Sequence, residues 1–209
     1  MRCDQPSSGA VYLGMRSKLL LALLAAALPL AAQQHEIGLT LGELIQQDRS
    51  ALTVGSGVAL QANYGYRLLD AKIAALYGEV HLLASPQRGI SANISSVTRD
   101  IATLYVTPGL RLKFLPNAPV SPYVAAGGGY AQYEQSTALI NGQANPASRE
   151  TFHGALDYGG GVDFRGWRWL GFRAEIRDFY TGNPSFNTRL ITGGQHNVIV
   201  GGGLVIRIR

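Results

Sequence analysis

The chain has 209 residues, of which 26 are glycine and one is cysteine, and its formal net charge is +5. Its mean hydropathy is close to zero, which argues against a helical membrane protein, and 46% hydrophobic residues argue against disorder. The lone Cys3 rules out a disulfide framework, and so small a net charge does not indicate nucleic-acid binding.

An export signal lies close to the N-terminus. Arg16 and Lys18 supply a positive n-region, and an apolar stretch follows from Leu19 to Ala32. A transmembrane helix needs about 20 apolar residues, and this stretch is shorter and contains Pro29. The pattern therefore favours a cleaved signal peptide over a membrane-spanning helix.

The rest of the chain is long enough for one domain. We expect residues 1–32 to be a leader and signal peptide, with Met15 as an alternative start of translation and cleavage near Ala32/Gln33. Residues 33–209 then form a single barrel domain, because they leave no room for a sizeable second domain. Such a signal directs the mature protein out of the cytoplasm.

Eight runs in the mature chain alternate apolar and polar residues, which is typical of strands with one apolar face. In the clearest run, Leu110 and Leu112 share one face, while Arg111 lies on the other. Bacterial membrane barrels have an even number of strands. The runs are Glu36–Gly42, Val58–Leu69, Ile73–Ala84, Ile101–Phe114, Tyr123–Gln132, Phe152–Arg165, Trp169–Tyr180 and Asn197–Ile208.

The links between these runs alternate between long and short. In outer-membrane barrels the short turns face the periplasm, the long loops face outside, and both termini are periplasmic. The sequence therefore predicts an all-β fold: an eight-stranded antiparallel up-and-down transmembrane β-barrel with short periplasmic turns and four longer extracellular loops. The predicted loops are Glu43–Gly57, Ser85–Asp100, Tyr133–Thr151 and Thr181–His196.

Aromatic residues lie near the predicted strand ends. Aromatic rings with polar edges favour the two membrane interfaces, so we expect one girdle at each rim. The predicted periplasmic girdle is Tyr66, Phe114, Tyr123, Phe164, Trp167 and Trp169, and the predicted outer rim is Tyr133, Phe152 and Tyr180.

Charged residues fall on the face opposite the apolar one. If lipid contacts the apolar face, these side chains point into the barrel, and side chains fill the interior of a barrel of about eight strands. We expect them to pair into a structural network rather than line an open pore. The predicted network is Arg67, Glu79, Arg111, Lys113, Asp157, Asp163, Arg173, Glu175, Arg177 and Arg207, with Glu36 on the same face.

Two alternatives stay open from the residues alone. A soluble lipocalin-like barrel shows the same alternation with its apolar face lining a ligand cavity. An outer-membrane lipid-modifying enzyme would need a serine activated by a histidine near the outer rim. The candidates are His81, His153 and His196 with Ser85, Ser148 and Ser185, but no spacing places a base beside a nucleophile. We therefore name no catalytic, cofactor-binding or metal-binding residue.

Five segments carry a family resemblance by their order and spacing: Val106–Phe114, Ser121–Tyr130, Gly160–Phe164, Leu170–Tyr180 and Gly203–Ile208. Together they resemble the small bacterial outer-membrane β-barrels of the OmpA-like and OmpX-like type. The last segment is similar to the terminal-strand insertion signal of that family, with Gly203 followed by Ile206 and Ile208. Such signals usually end on an aromatic residue, whereas here Ile208 takes that place and Arg209 follows.

This resemblance implies a protein of the bacterial outer membrane that works without a cofactor. Its implied partners are outer-membrane lipid and lipopolysaccharide, and the insertion machinery during biogenesis, with no nucleic acid. We expect a monomer without enzymatic activity, whose long loops give it a structural or surface-interaction role. The sequence does not indicate which extracellular partner those loops contact.

Overall fold

The computed structural model describes residues 35–46, 52–182 and 193–208. Within these ranges, no helix is long and apolar enough to cross a membrane. The described residues form nine strands: β1 (His35–Gln46), β2 (Leu52–Val54), β3 (Gly57–Asp70), β4 (Ala74–Ala92), β5 (Asp100–Phe114), β6 (Val120–Gln135), β7 (Glu150–Arg165), β8 (Leu170–Thr181) and β9 (Gln195–Ile208).

Eight of these strands close into an antiparallel barrel, and β2 is an extra strand on the edge of β4. Neighbours in sequence are neighbours in the barrel, and β1 closes the ring against β9, with His35 opposite Ile208. Closure leaves no unpaired edge among the eight strands. The predicted eight-stranded up-and-down barrel is therefore confirmed, with most strands longer than their predicted runs.

The apolar face of the wall points outward. Large side chains such as Leu41, Leu110 and Ile176 are more than half exposed, whereas Gln61 and Arg111 on the alternate positions are buried inside. Alternation along a strand puts these two sets on opposite sides of the wall. The lumen is therefore polar over much of its length, which excludes the lipocalin-like arrangement with an apolar cavity.

Two of the predicted interfacial aromatics lie inside the barrel instead. Phe164, Trp169 and Tyr180 are exposed on the outer wall, as the girdle prediction requires. Tyr123 and Tyr133 are buried, because they lie at odd positions of β6 and odd positions of this strand face the lumen. Each hydroxyl finds a hydrogen-bond partner there. The prediction was wrong for these two because closeness to a strand end does not decide the face.

Strand β4 continues far into the segment that the sequence predicts to be the loop Ser85–Asp100. Its pairing with β5 shifts register between Ser85 and Arg88, which marks a β-bulge. Pro86, which has no N–H for the ladder, lies inside this bulge. The extra residue reverses the alternation of faces. Ser85, before the bulge, faces inward, and Arg88, after the bulge, faces inward as well. This reversal hides the strand from a search for strict alternation.

The outer ends of the strands carry a folded cover. Strand β2, inside the predicted loop Glu43–Gly57, pairs with the end of β4, where Val54 lies opposite Ile90. The loops after β4 and β6 lie beside this pair and form backbone bonds to each other. We call this cover the outer platform and define it as residues 52–54, 89–99 and 136–149.

The orientation of the wall can be tested with an arginine on its outer face. Ile176 lies midway along β8 and is 54% exposed on the lipid side. Replacing it, Ile176→Arg, should lower the free energy of unfolding in lipid vesicles by about 2–4 kcal/mol, because arginine is costly near the bilayer midplane. Urea titration of vesicle-inserted protein measures this loss.

The matched control is Val58→Arg, at the outer end of β3, where the side chain is also exposed. Its expected cost is about 0–1 kcal/mol, because the interface is wet. Equal costs for both variants would contradict the position of the membrane on this wall.

Candidate functional site

Charged side chains from six strands meet inside the barrel. They lie at inward positions, and all except Arg207 are classed as buried. We call them the charge cluster; its members are Glu36, Glu79, Arg111, Lys113, Asp157, Asp163, Arg173, Glu175, Arg177 and Arg207. Half are carboxylates and half are cations, so the cluster is neutral as a whole.

Strand β5 supplies two cations that each join two carboxylates. Arg111 places Nη2 2.9 Å from Glu36 Oε2 and Nε 2.8 Å from Glu79 Oε2. Lys113 Nζ lies 2.7 Å from Glu36 Oε1 and 2.6 Å from Asp163 Oδ2. Buried charges are tolerated when they are paired and hydrogen-bonded in this way. These two side chains therefore tie strands β1, β4, β5 and β7 together through the lumen.

Arg177 reaches across the lumen. It lies on β8, and its Nη2 contacts Glu79 on β4, the strand opposite β8 in the ring of eight. Its Nη1 lies 2.8 Å from Asp157 Oδ2. Glu175 lies 3.4 Å from the Arg177 Nε and accepts a 2.7 Å hydrogen bond from the Tyr123 hydroxyl. An ion pair between opposite strands blocks a straight path along the barrel axis.

Arg173 and Arg207 complete the charge cluster. Arg173 makes a two-point contact with Asp163, donating from Nε at 2.7 Å and from Nη2 at 3.0 Å. Its guanidinium carbon also lies 4.7 Å from the centre of the Tyr123 ring, a cation–π contact. Arg207 Nε lies 3.5 Å from Glu36 Oε1, which links the last strand to the first.

Arg67 lies apart from the residues with which the sequence grouped it. Its Nη1 lies 2.8 Å from the carboxylate of Asp70, three residues further along at the end of β3. The register of β3 against β4 shifts between Arg67 and Leu69. Arg67 still pairs with Tyr77 on the inward face and its side chain is only 13% exposed, but its ion-pair partner is the nearby Asp70 rather than a carboxylate of another strand.

Polar and aromatic side chains form the next layer towards the outside. His81 Nε2 lies 2.9 Å from Gln61 Oε1, and the His81 ring packs against Phe179. Phe179 also packs against Tyr105, with 4.9 Å between ring centres. This layer of polar and aromatic side chains lies between the charge cluster and the outer end of the barrel.

An apolar core closes the lumen beneath the outer platform. These residues occupy inward positions near the outer strand ends or lie in the platform itself, and the sequence assigned several of them to loops or to the polar face. The core includes Leu44, Leu52, Val54, Leu83, Ile90, Val97, Ile101 and Ile199. One feature of the sequence could have indicated this core: an occasional apolar residue, such as Ile199, on the otherwise polar face of a strand. Burial of apolar area stabilises this end of the barrel.

The outer platform is held by backbone hydrogen bonds between the loop after β4 and the loop after β6. The amide of Ile140 donates to the Val97 carbonyl at 2.9 Å, and the amide of Arg99 donates to the Ala138 carbonyl at 3.1 Å. Thr98 and Leu139 form an isolated bridge between them. Backbone N–H and C=O groups of each loop are thus hydrogen-bonded to the other loop instead of to water.

The histidines and serines considered for catalysis mostly have other partners. His81 bonds Gln61 inside the barrel, and Ser85 Oγ donates to the Val58 carbonyl at 3.2 Å. His196 Nδ1 lies 2.6 Å from a carboxylate oxygen of Asp178. Ser185 lies outside the described residues. In the part of the chain that the structure describes, no group of histidine, cysteine and carboxylate side chains is arranged to hold a metal ion.

The residues of the predicted insertion signal all lie on β9. Ile206 and Ile208 lie opposite Ile37 and His35 of β1, at the seam that closes the barrel. Gly203 lies between β1 and β8, where a Cβ atom would overlap the Leu39 carbonyl oxygen. Glycine is thus required at this position by close approach of the backbones. Recognition of this strand by the insertion machinery stays a prediction.

Comparisons with known proteins agree with this architecture. A family model described as the outer membrane protein beta-barrel domain matches residues 18–201. The outer membrane protein OprG from Pseudomonas aeruginosa is 16% identical with a TM-score of 0.53, covering 85% of this chain and 97% of OprG. Neisserial surface protein A is 12% identical with a TM-score of 0.50, covering 83% of this chain and 96% of its own. No curated protein sequence matches this chain. At these identities the two structures show the fold.

The charge cluster predicts a large effect of removing one of its cations. Arg111→Met leaves Glu36 and Glu79 each short of a buried partner, so we expect the free energy of unfolding to fall by about 3–5 kcal/mol. Urea unfolding in lipid vesicles, followed by circular dichroism, measures the change.

Arg149→Met is the matched control, because Arg149 is 64% exposed and forms a surface pair with Glu134. The expected loss is below about 1 kcal/mol. A loss for Arg111→Met as small as that of the control would show that the charge cluster does not stabilise the barrel.

Proposed function

Because this chain belongs to the outer membrane protein β-barrel domain family and lies in the bacterial outer membrane, we propose that it acts there as a closed, non-enzymatic surface protein. Its outer platform is the part that contacts a partner. The observation that carries the proposal is that the lumen is crossed by ion pairs while the platform is held together by backbone bonds. We propose a monomer surrounded by lipid and lipopolysaccharide.

The filled lumen supports a role without transport. A barrel of about eight strands has an interior just wide enough for side chains. Here the pair between Arg177 and Glu79 joins opposite strands, and Arg111 and Lys113 fill the space beside it. The apolar core and the platform lie above these charges. A solute would have to displace both layers in order to pass.

The surface of the outer platform indicates the chemistry of its partner. The exposed residues are mainly neutral amides and hydroxyls, including Asn93, Ser95, Ser96, Asn141, Gln143 and Ser148. The charges at its base are paired, Arg99 with Asp100 and Arg149 with Glu134. A neutral surface rich in donors and acceptors suits an uncharged, hydroxyl-rich ligand. Because the loops are already held in place, binding costs less ordering entropy.

We therefore propose that the outer platform binds oligosaccharide chains, either the sugars of lipopolysaccharide or those of another cell. The test is an array carrying neutral glycans and lipopolysaccharide-derived oligosaccharides, probed with the full chain refolded in an uncharged detergent. We expect binding to at least one glycan class, reduced at least tenfold in Asn141→Ala/Gln143→Ala. The two arms of the array distinguish the sources of the sugar.

The control is Asn117→Ala, which replaces an exposed polar residue in the periplasmic turn after β5, far from the outer platform. This variant should leave glycan binding unchanged. Folding of each variant is checked by faster migration of unboiled than of boiled protein in a gel. No binding to any glycan by folded wild-type protein would overturn the assignment of the ligand class.

One observation favours a second function, that of a lipid-modifying enzyme. On the outer wall, the Asp178 carboxylate accepts hydrogen bonds from the Tyr158 hydroxyl and contacts His196 Nδ1, each at 2.6 Å. A histidine oriented by a carboxylate is a common acid–base arrangement. Mass spectrometry of lipid A from cells producing the wild type or His196→Gln decides between the functions. The proposed surface role predicts identical lipid A, and a modification lost in the variant would establish the enzyme.

A further inference from the structure

Arg88 is a buried cation outside the charge cluster. Its side chain is only 2% exposed, and it lies above the bulge of β4 in the outer part of the barrel. The cluster already balances its carboxylates against its own cations. Among the described residues, Arg88 is the one fully buried cation for which no carboxylate lies within ion-pair distance. The described side chains inside the barrel therefore carry one surplus positive charge.

The hydrogen-bonding capacity of Arg88 is also largely unused. Its Nη2 donates to Thr103 Oγ1 at 3.4 Å, which is a long and weak hydrogen bond. Nε and Nη1 are closed to solvent and have no hydrogen-bond partner among the described residues. Leaving charged donors buried and unpaired is one of the largest penalties a folded chain can carry. An occupant of this place that accepts hydrogen bonds and carries negative charge removes both penalties.

The local structure brings this charge inside. Without the bulge, strict alternation would turn Gln87 inward and Arg88 outward. Gly57 on the neighbouring strand leaves the space for the arginine stem, because a Cβ atom there would lie 2.8 Å from Arg88 Cγ. A bulge with Pro86 in it and a glycine opposite are thus both needed to place the guanidinium in the lumen.

The groups around Arg88 are neutral and able to donate. Thr103 and Tyr105 lie beside it, and the Tyr105 hydroxyl is within 3.3 Å of the Tyr133 hydroxyl. Gln135 lies at the same height, because Ile101 of β5 pairs with Arg88 on one side and with Gln135 on the other. The Gln135 Oε1 has no partner among the described residues. A half-turn of this amide presents an N–H instead.

We propose that Arg88 forms the centre of a buried binding site for one small monovalent anion, of the size of chloride or formate. The guanidinium supplies the charge and the N–H groups of its two unpartnered nitrogens, Nε and Nη1, and the neighbouring hydroxyls and amide complete the shell. A larger or doubly charged anion does not match a single buried positive charge. Entry occurs by local opening of β2, which pairs with β4 over only three residues and is the shortest strand described.

The proposal is tested by the dependence of stability on chloride. Full-length protein in uncharged detergent is unfolded with urea at rising sodium chloride, with ionic strength held constant by the sodium salt of a bulky sulfonate buffer. A ligand that binds the folded state only should lower the unfolding equilibrium constant about tenfold for each tenfold rise in chloride above its dissociation constant. Sodium formate in place of chloride is the second arm.

Arg88→Met should lose this dependence, and it should be at least as stable as wild type in the sulfonate salt, because the surplus charge is gone. Arg149→Met, which removes an exposed cation, should keep the full dependence. If Arg88→Met does not fold, the site is tested with wild-type protein alone. The measurement is then the line width of the chloride-35 NMR resonance in the presence of the protein. Excess broadening that formate competes away is expected. Its absence, or equal chloride dependence in wild type and Arg88→Met, would overturn the site.

Discussion

Lipid on the outside of a closed wall leaves only a narrow lumen for the charged side chains of this barrel. Each must find its partner within a ring of eight strands whose width is set by closure. The pair of Arg177 with Glu79 shows the result, because a single side chain reaches the opposite strand. Ion pairing inside and apolar exposure outside are therefore two consequences of the same alternation.

The lumen is divided into layers with different chemistry. The neutral charge cluster, the layer of His81, Gln61 and Phe179, and the apolar core follow one another towards the outer platform. Polar pairing joins opposite strands through the lumen, whereas apolar burial at the outer end supports the platform. A scaffold built in this way supports a preformed surface, because the loops on top of it rest on a packed core.

Much of this could be predicted from the sequence, because alternation is a local property. Arg111 and Lys113 faced the lumen as their run indicated, and the strands closed in the expected order. Local patterns failed where the backbone leaves the regular ladder. The bulge at Pro86 reverses the face of every later residue in β4, and the register of β3 shifts just after Arg67, whose ion pair is with the nearby Asp70. Neither the bulge in β4 nor the register shift in β3 alters the residue composition of its segment, so composition does not reveal them.

Pairing across the lumen could not be predicted either. It depends on which strands lie opposite and at what height, and both follow from the register of the whole ring rather than from any one strand. For the same reason Tyr123 belongs to the interior with Glu175, although its position along the chain suggested the rim. The sequence identified the residue types of the interior, whereas their partners required the closed barrel.

Whether the paired charges close the lumen can be measured as ion conductance. Purified protein reconstituted into a planar bilayer is held at a fixed voltage, and the current is recorded for wild type and for Arg177→Ala. We expect no stepwise current for wild type, because Arg177 bridges to the opposite strand. Stable conductance steps in wild type would contradict this, and steps that Arg177→Ala leaves unchanged would show that the ions pass by another path.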